Sequence, residues 1–130
     1  MNHTVFVYGA LRKGASNAWR MKESSFVSKA SVSGVLVKVD WYPGLVLGPG
    51  GRVLGEVYEV SEQVLAELDI FEGVGLSDER EGEYQRVKAQ VVLENGETRD
   101  CLIYEWQLGV ENYEKVANGD WLTVKIASSS

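Results

Sequence analysis

The sequence predicts an α+β fold, a small, mixed but mainly antiparallel β-barrel with one or two flanking helices. Three observations lead there. About five or six short runs of β-branched and aromatic residues recur along 130 residues, glycine-rich turns separate them, and only one segment carries a clear helical pattern. That length suits one hydrophobic core, so a single domain spanning residues 1–130 is expected. With 45% apolar residues, including four Trp, six Tyr and three Phe, the chain can fill such a core unaided.

Taken in order, Thr4 to Tyr8 reads as a buried first strand that stops at Gly9. Residues Ser16 to Ser24 read as a weak helix or an irregular crossing segment. From Phe26 to Val39 the alternation of Val32, Val35, Val37 and Val39 predicts one long bent strand, or two short ones broken near Gly34. Two turn signals, Pro43-Gly44 and Gly48-Pro49-Gly50-Gly51, bracket an apolar tongue, Leu45-Val46-Leu47. Val53 to Val60 is a further strand interrupted by Gly55. Ser61 is a good N-cap for a helix over Glu62 to Glu72, with Gly73 placed to end it.

Tyr84 to Leu93 and Thr98 to Trp106 flank Asn95-Gly96, the pair that a two-residue type I′ hairpin favours. Pairing Glu94 with Glu97 then sets Val87 opposite Tyr104 and Ala89 opposite Leu102 on a core face. It sets Arg86 opposite Glu105 and Lys88 opposite Ile103 on the other. Near the end, Asn118-Gly119-Asp120 forms a turn that delivers Trp121 into a short final strand, and Ser128-Ser129-Ser130 is expected to fray.

One cysteine, Cys101, and one histidine, His3, exclude an intramolecular disulfide, a CxxC redox pair and zinc sites built from several His and Cys ligands. Only His3 could serve a Ser-His-Asp triad. Acid–base chemistry therefore falls to the 19 carboxylates. A net charge of −6, with no run of four basic residues, argues against nucleic acid as a partner. The apolar runs are far shorter than a bilayer span and the chain starts directly on a strand pattern, so a cytoplasmic protein without membrane association is expected.

Two places carry candidate chemistry. On a helical wheel, Val64, Leu65, Leu68 and Phe71 define the buried arc, and Glu72 falls inside it, between Leu68 and Leu65. A carboxylate there must find donors, find a cation, or act as a general acid/base. The alternative is that Glu72 sits in a frayed last turn and swings to solvent. The second place is the loop from Gly9 to Gly14, where a buried strand opens abruptly. Backbone N–H groups in such a loop can hold a carboxylate or an oxyanion, though an ordinary strand-to-loop turn would look the same. It is not a phosphate loop, because Ala15-Ser16 follow Gly14 in place of Lys and Ser or Thr.

Five segments together carry a resemblance: Val5-Phe6-Val7-Tyr8-Gly9-Ala10-Leu11-Arg12-Lys13-Gly14, Tyr42-Pro43-Gly44, Gly55-Glu56-Val57-Tyr58, Leu68-Asp69-Ile70-Phe71-Glu72-Gly73 and Tyr84-Gln85-Arg86-Val87. In this order the chain resembles the γ-glutamylcyclotransferase-like superfamily, above all its γ-glutamylamine cyclotransferases and AIG2-like proteins, from about residue 4 to residue 122. The resemblance implies a cofactor-free reaction in which the α-amine of a γ-glutamyl amide attacks its own γ-carbonyl, releasing 5-oxoproline and an amine or amino acid. It implies Glu72 as the catalytic acid/base and Tyr8, Gly9, Ala10 and Leu11 as the loop that grips the γ-glutamyl group. Tyr84 is expected to line the pocket. Ala10 departs from the family, which usually carries Thr or Ser there. A non-catalytic AIG2-like protein that binds a small molecule or regulates is the alternative function. Neither the leaving amine nor the oligomeric state follows from the sequence.

Overall fold

The computed structural model describes residues 2–73 and 83–124. Five strands close into a barrel: β1 (Asn2–Val7), β2 (Ser25–Lys38), β3 (Pro43–Ser61), β4 (Tyr84–Leu93) and β5 (Thr98–Trp106). They run in the order β3-β1-β5-β4-β2, and β2 closes the ring by pairing with β3; a two-residue strand, β6 (Glu114–Lys115), adds to the outer end of β2. Every pairing is antiparallel except that of β1 with β5, where Val5 stands beside Leu102. A mixed, mainly antiparallel barrel with one α-helix is therefore what the chain forms. Among the described residues, no helix is long and apolar enough to cross a membrane.

The barrel and the helix bury two separate layers. Along β1, Phe6 points into the barrel, where it meets Leu45, Val53, Val57 and Ile103, whereas Val5 and Val7 point outward. The outward layer is covered by α1 (Glu62–Glu72) through Val64, Leu65 and Leu68. Alternating side chains of one strand thus serve both layers, which is why the first strand reads as continuously apolar. Helix α1 has the bounds expected of it. Ser61 Oγ accepts from the Val64 N–H at 3.1 Å, and the Gly73 N–H returns to the Asp69 and Ile70 carbonyls.

Several expectations need correction. The hairpin is one residue out of the anticipated register. Leu93 N donates to the Glu97 carbonyl (2.7 Å) and Gly96 N to the Leu93 carbonyl (2.9 Å), enclosing a three-residue loop in which only Gly96 takes a positive φ, 91°. This is the turn-plus-bulge solution, and Asn95 never enters the left-handed region that a type I′ turn would demand. Val87 accordingly faces Ile103, Ala89 faces Cys101, and Arg86 faces Tyr104. Ile103 and Cys101 belong to the barrel interior, and Tyr104 to the outer layer.

The tongue is also strand. Leu47 pairs with Gly34 and Arg52 with Ser33, so residues 48–51 bulge out of a single 19-residue β3, and Leu45 is fully buried. Likewise β2 is one strand, with irregularities at Phe26/Ser28 and, near the expected break, at Ser33/Gly34. The Ser16–Ser24 segment contributes one 3-10 turn, Ala18–Met21. Trp121 enters a 3-10 turn, Trp121–Thr123, and packs into the barrel interior. The expected fraying of Ser128–Ser130 concerns residues outside those described.

Candidate active site

The strand β1 ends where its neighbours diverge, and the chain turns sharply. Gly9 allows the turn to lie against Pro43: a Cβ on Gly9 would come within 2.5 Å of the proline Cγ. The Gly9 carbonyl accepts from Arg12 N (2.9 Å) and the Ala10 carbonyl from Asn17 N (2.8 Å). Among the described residues, no acceptor takes the N–H groups of Gly9, Ala10 or Leu11. The Gly9 and Ala10 carbonyls are thus engaged, while the amides of residues 9–11 are left to a ligand.

A buried ionic network holds this loop. Arg12 Nε lies 2.7 Å from Glu56 Oε2 and Nη1 lies 2.8 Å from Asp120 Oδ1, while Lys13 N donates to Glu56 Oε1 at 2.9 Å. Arg12 and Glu56 are both under 10% exposed. Two carboxylates and a backbone amide satisfy charges that would be prohibitive alone. Sequence reasoning gave Arg12 and Glu56 no role. The available signal was a carboxylate standing in the otherwise uncharged run Val53–Tyr58.

Beside the loop, a cavity of about 260 Å³ opens between the end of β1, the β2–β3 turn and the C-terminal end of α1. Tyr8, Gly9, Ala10 and Leu11 line one side and Trp41, Tyr42 and Pro43 another. Phe6 and Val7 from β1, with Phe71, Glu72, Glu83, Tyr84 and Tyr104, complete it. All six residues singled out in the sequence, Glu72, Tyr8, Gly9, Ala10, Leu11 and Tyr84, therefore meet at one cavity. Of the tongue and its approach, Trp41 to Pro43 reach the site, whereas Leu45 does not.

Glu72 is the last residue of α1 and is half-buried at the cavity, not turned out into solvent. Four phenols surround it. Burial raises the pKa of Tyr8, Tyr42, Tyr84 and Tyr104, and the Glu72 charge raises each of them further. All four hydroxyls therefore stay protonated across the physiological range. Their protons are committed to protein acceptors at three positions. Tyr8 donates to the Tyr104 carbonyl (2.6 Å), Tyr84 to the Pro43 carbonyl (2.5 Å) and Tyr104 to Asp69 Oδ1 (2.6 Å). Arg86, expected opposite Glu105, instead reaches across to Asp69 Oδ2 at 2.6 Å. Tyr104 was expected only as a core-facing residue, and the register slip hid its place at the cavity. His3 lies 3.7 Å from Glu62 and does not line the cavity, so the one candidate base for a Ser-His-Asp triad stands apart from it.

A closed five-stranded barrel with a carboxylate-bearing helix end beside an amide-lined loop has known counterparts. The sequence pattern described as gamma-glutamyl cyclotransferase, AIG2-like, matches residues 5–123. This chain belongs to that family. It is 35% identical over 128 residues to gamma-L-glutamyl-butirosin B gamma-glutamyl cyclotransferase of Niallia circulans, covering 97% of this chain and 80% of that protein. The gamma-glutamylcyclotransferase family protein YtfP of Escherichia coli is 33% identical over 119 residues, with 91% and 95% coverage. Among solved structures, an AIG2-like protein from Mus musculus superposes with a TM-score of 0.72 at 29% identity, over 96% of this chain and 85% of its own. The family points to cyclotransferase chemistry on a small molecule.

Proposed function

We propose that this chain is a γ-glutamyl cyclotransferase that releases 5-oxoproline and a free amine or amino acid from a γ-glutamylamine or γ-glutamyl peptide. Glu72 takes a proton from the substrate's α-ammonium. The freed amine attacks the γ-carbonyl carbon, closing a five-membered ring, and the amides of Gly9, Ala10 and Leu11 hold the oxyanion or the α-carboxylate. The attacking nitrogen sheds a second proton as the lactam forms, and Glu72 passes protons on to the leaving nitrogen as the C–N bond breaks, so the amine departs as an ammonium. Because nucleophile and electrophile share one molecule, the protein's main task is to fold the substrate into a near-attack shape and move protons. The aromatic walls contributed by Trp41, Tyr42 and Phe71 support this by excluding water from the reacting centre.

The observation that carries the reading is the placement of Glu72 across one small cavity from unpaired loop amides. A screen of γ-glutamyl compounds for 5-oxoproline release tests it directly. With a substrate in hand, Glu72→Gln keeps the side-chain volume and removes the titrating group. We expect kcat to fall by roughly 10²- to 10⁴-fold while substrate still binds. Wild-type turnover by the folded variant would end the assignment of Glu72 as the base, and a screen that finds no 5-oxoproline release would leave the family's barrel serving as a binding protein.

A further inference from the structure

We propose that Tyr104 is a direct substrate contact whose phenolic oxygen accepts a hydrogen bond from the α-ammonium, its own proton being fixed away from the cavity by Asp69 and Arg86. The inference rests on the γ-glutamyl reading above. A phenol has one proton and two lone pairs. Tyr104 lines the cavity, is 2% exposed, and gives its proton to Asp69 Oδ1 at 2.6 Å. Arg86 Nη1 holds the other oxygen of that carboxylate at 2.6 Å, so Asp69 is turned toward both partners. Among the described residues nothing donates to Tyr104 Oη. Asp69 stands three residues before Glu72, hence on the same side of α1 one turn earlier, which sets the Tyr104 hydroxyl next to the base along the helix.

The arrangement solves a specific problem of this reaction. Once Glu72 has removed a proton, the amine's lone pair must be directed at the γ-carbonyl carbon. A hydroxyl free to donate would capture that lone pair, whereas a hydroxyl that can only accept holds one of the remaining N–H bonds and leaves the lone pair exposed. No proton passes through Tyr104: the protons that the nitrogen loses go by way of Glu72 to the leaving nitrogen, the new bond is nitrogen to carbon, and the bond broken is that of the carbon to the leaving nitrogen. Burial, followed by the Asp69 hydrogen bond, raises the Tyr104 pKa, which keeps the group a neutral acceptor. Tyr8 and Tyr84 follow the same rule, since each commits its proton to a carbonyl. Asp69 and Arg86 act through Tyr104 and are positioning residues.

The test compares a γ-glutamyl alkylamide with the matching glutaryl alkylamide, which lacks the α-amine. Both are titrated calorimetrically into the Glu72→Gln protein so that turnover does not interfere. The ratio of the two Kd values measures what the ammonium contributes. Tyr104→Phe should shrink that ratio by roughly tenfold or more, the worth of a hydrogen bond to a charged group, while the glutaryl compound's own Kd changes little. Asp69→Asn is the second arm. Its amide would turn oxygen to Arg86 and N–H to Tyr104 Oη, releasing the phenol proton toward the cavity, so the ratio should shrink there too. A merely structural role would weaken both compounds alike and leave the ratio intact, and an intact ratio in either folded variant overturns the proposal. If neither compound binds the Glu72→Gln protein, the γ-glutamyl reading itself fails and takes this inference with it.

Discussion

Inside the barrel, Phe6, Leu45, Val53, Val57 and Ile103 meet carbon to carbon; in the seam between barrel and helix, Tyr58, Tyr84, Tyr104 and Trp106 each bring a hydroxyl or an indole N–H that must be satisfied. The first layer closes on itself except where Phe6 and Tyr8 reach the cavity wall. In the second, each polar group finds its partner, such as Trp106 Nε1 on the Gly109 carbonyl at 2.7 Å, and those partners constrain where the rings can lie. A chain of edge-on and tilted contacts, Tyr42–Tyr84–Trp106–Tyr113 with centroids 5.3–6.4 Å apart, results. The cavity sits at the end of that chain. Rigid aromatic walls with assigned hydroxyls make a shaped hole where an aliphatic layer would have collapsed to fill it.

The contrast can be broken most forcefully from the interior. Ile103→Ala empties space in a layer made mostly of aliphatic side chains, and should lower stability by about 2–5 kcal/mol in a denaturant titration while 5-oxoproline release per folded molecule is kept. A loss of turnover in the folded fraction would mean the two layers are mechanically coupled.

Alkaline unfolding sharpens the comparison next. Tyr84 and Tyr104 have raised pKa values in the folded protein, through burial first. Both states hold these protons below pH 10, so the stabilisation is complete there. Above it the unfolded chain releases them and the folded one does not. Stability should therefore fall by about 1.4 kcal/mol per pH unit for each tyrosine, and Tyr104→Phe should remove one such share from the slope. In the interior, burial pushes the Cys101 thiol up from 9.0 to about 11, so its contribution is lost in an earlier window, from pH 9 upward, that Cys101→Ala should abolish. Melting temperature followed from pH 8 to 11 reads both.

The smallest effect is expected at Ala10. If the loop works through its amides, Ala10→Thr should alter kcat/KM by less than roughly tenfold. A larger gain would show that a hydroxyl at this position contributes to binding or chemistry and that this chain's pocket has diverged.

The same division explains what the sequence disclosed. The helix was legible to the residue because Ser61, the apolar arc and Gly73 are local signals, and Glu72 stood out by breaking that arc. The strands were legible as strands, but their pairing was not. Asn95-Gly96 permits two loop solutions differing by one residue, and nothing within the hairpin chooses between them. The choice comes from what Cys101 and Ile103 meet across the barrel. Gly48-Pro49-Gly50-Gly51 has turn composition yet serves as a bulge, because β2 continues to pair on both sides of it. Least legible was the Arg12–Glu56–Asp120 network, which joins residues 44 and 108 positions apart in the chain. Such partners share no periodicity that a linear reading can detect.

The lone parallel pairing, β1 against β5, governs when the molecule can exist at all. Strand β1 has an antiparallel neighbour in β3, but its other edge waits for residues 98–106, and the loop that follows it waits for Asp120. At a ribosomal speed of roughly 5–20 residues per second, some 5–20 s separate the synthesis of Arg12 from that of its distant carboxylate. Through that interval the nascent chain can form α1 and the β2–β3 ribbon, while an exposed strand edge remains and the Arg12 guanidinium has Glu56 but not its second carboxylate. Completion of the barrel is thus a late event in the birth of the protein, and the amides of residues 9–11 reach their working positions only when nearly the whole chain has been made.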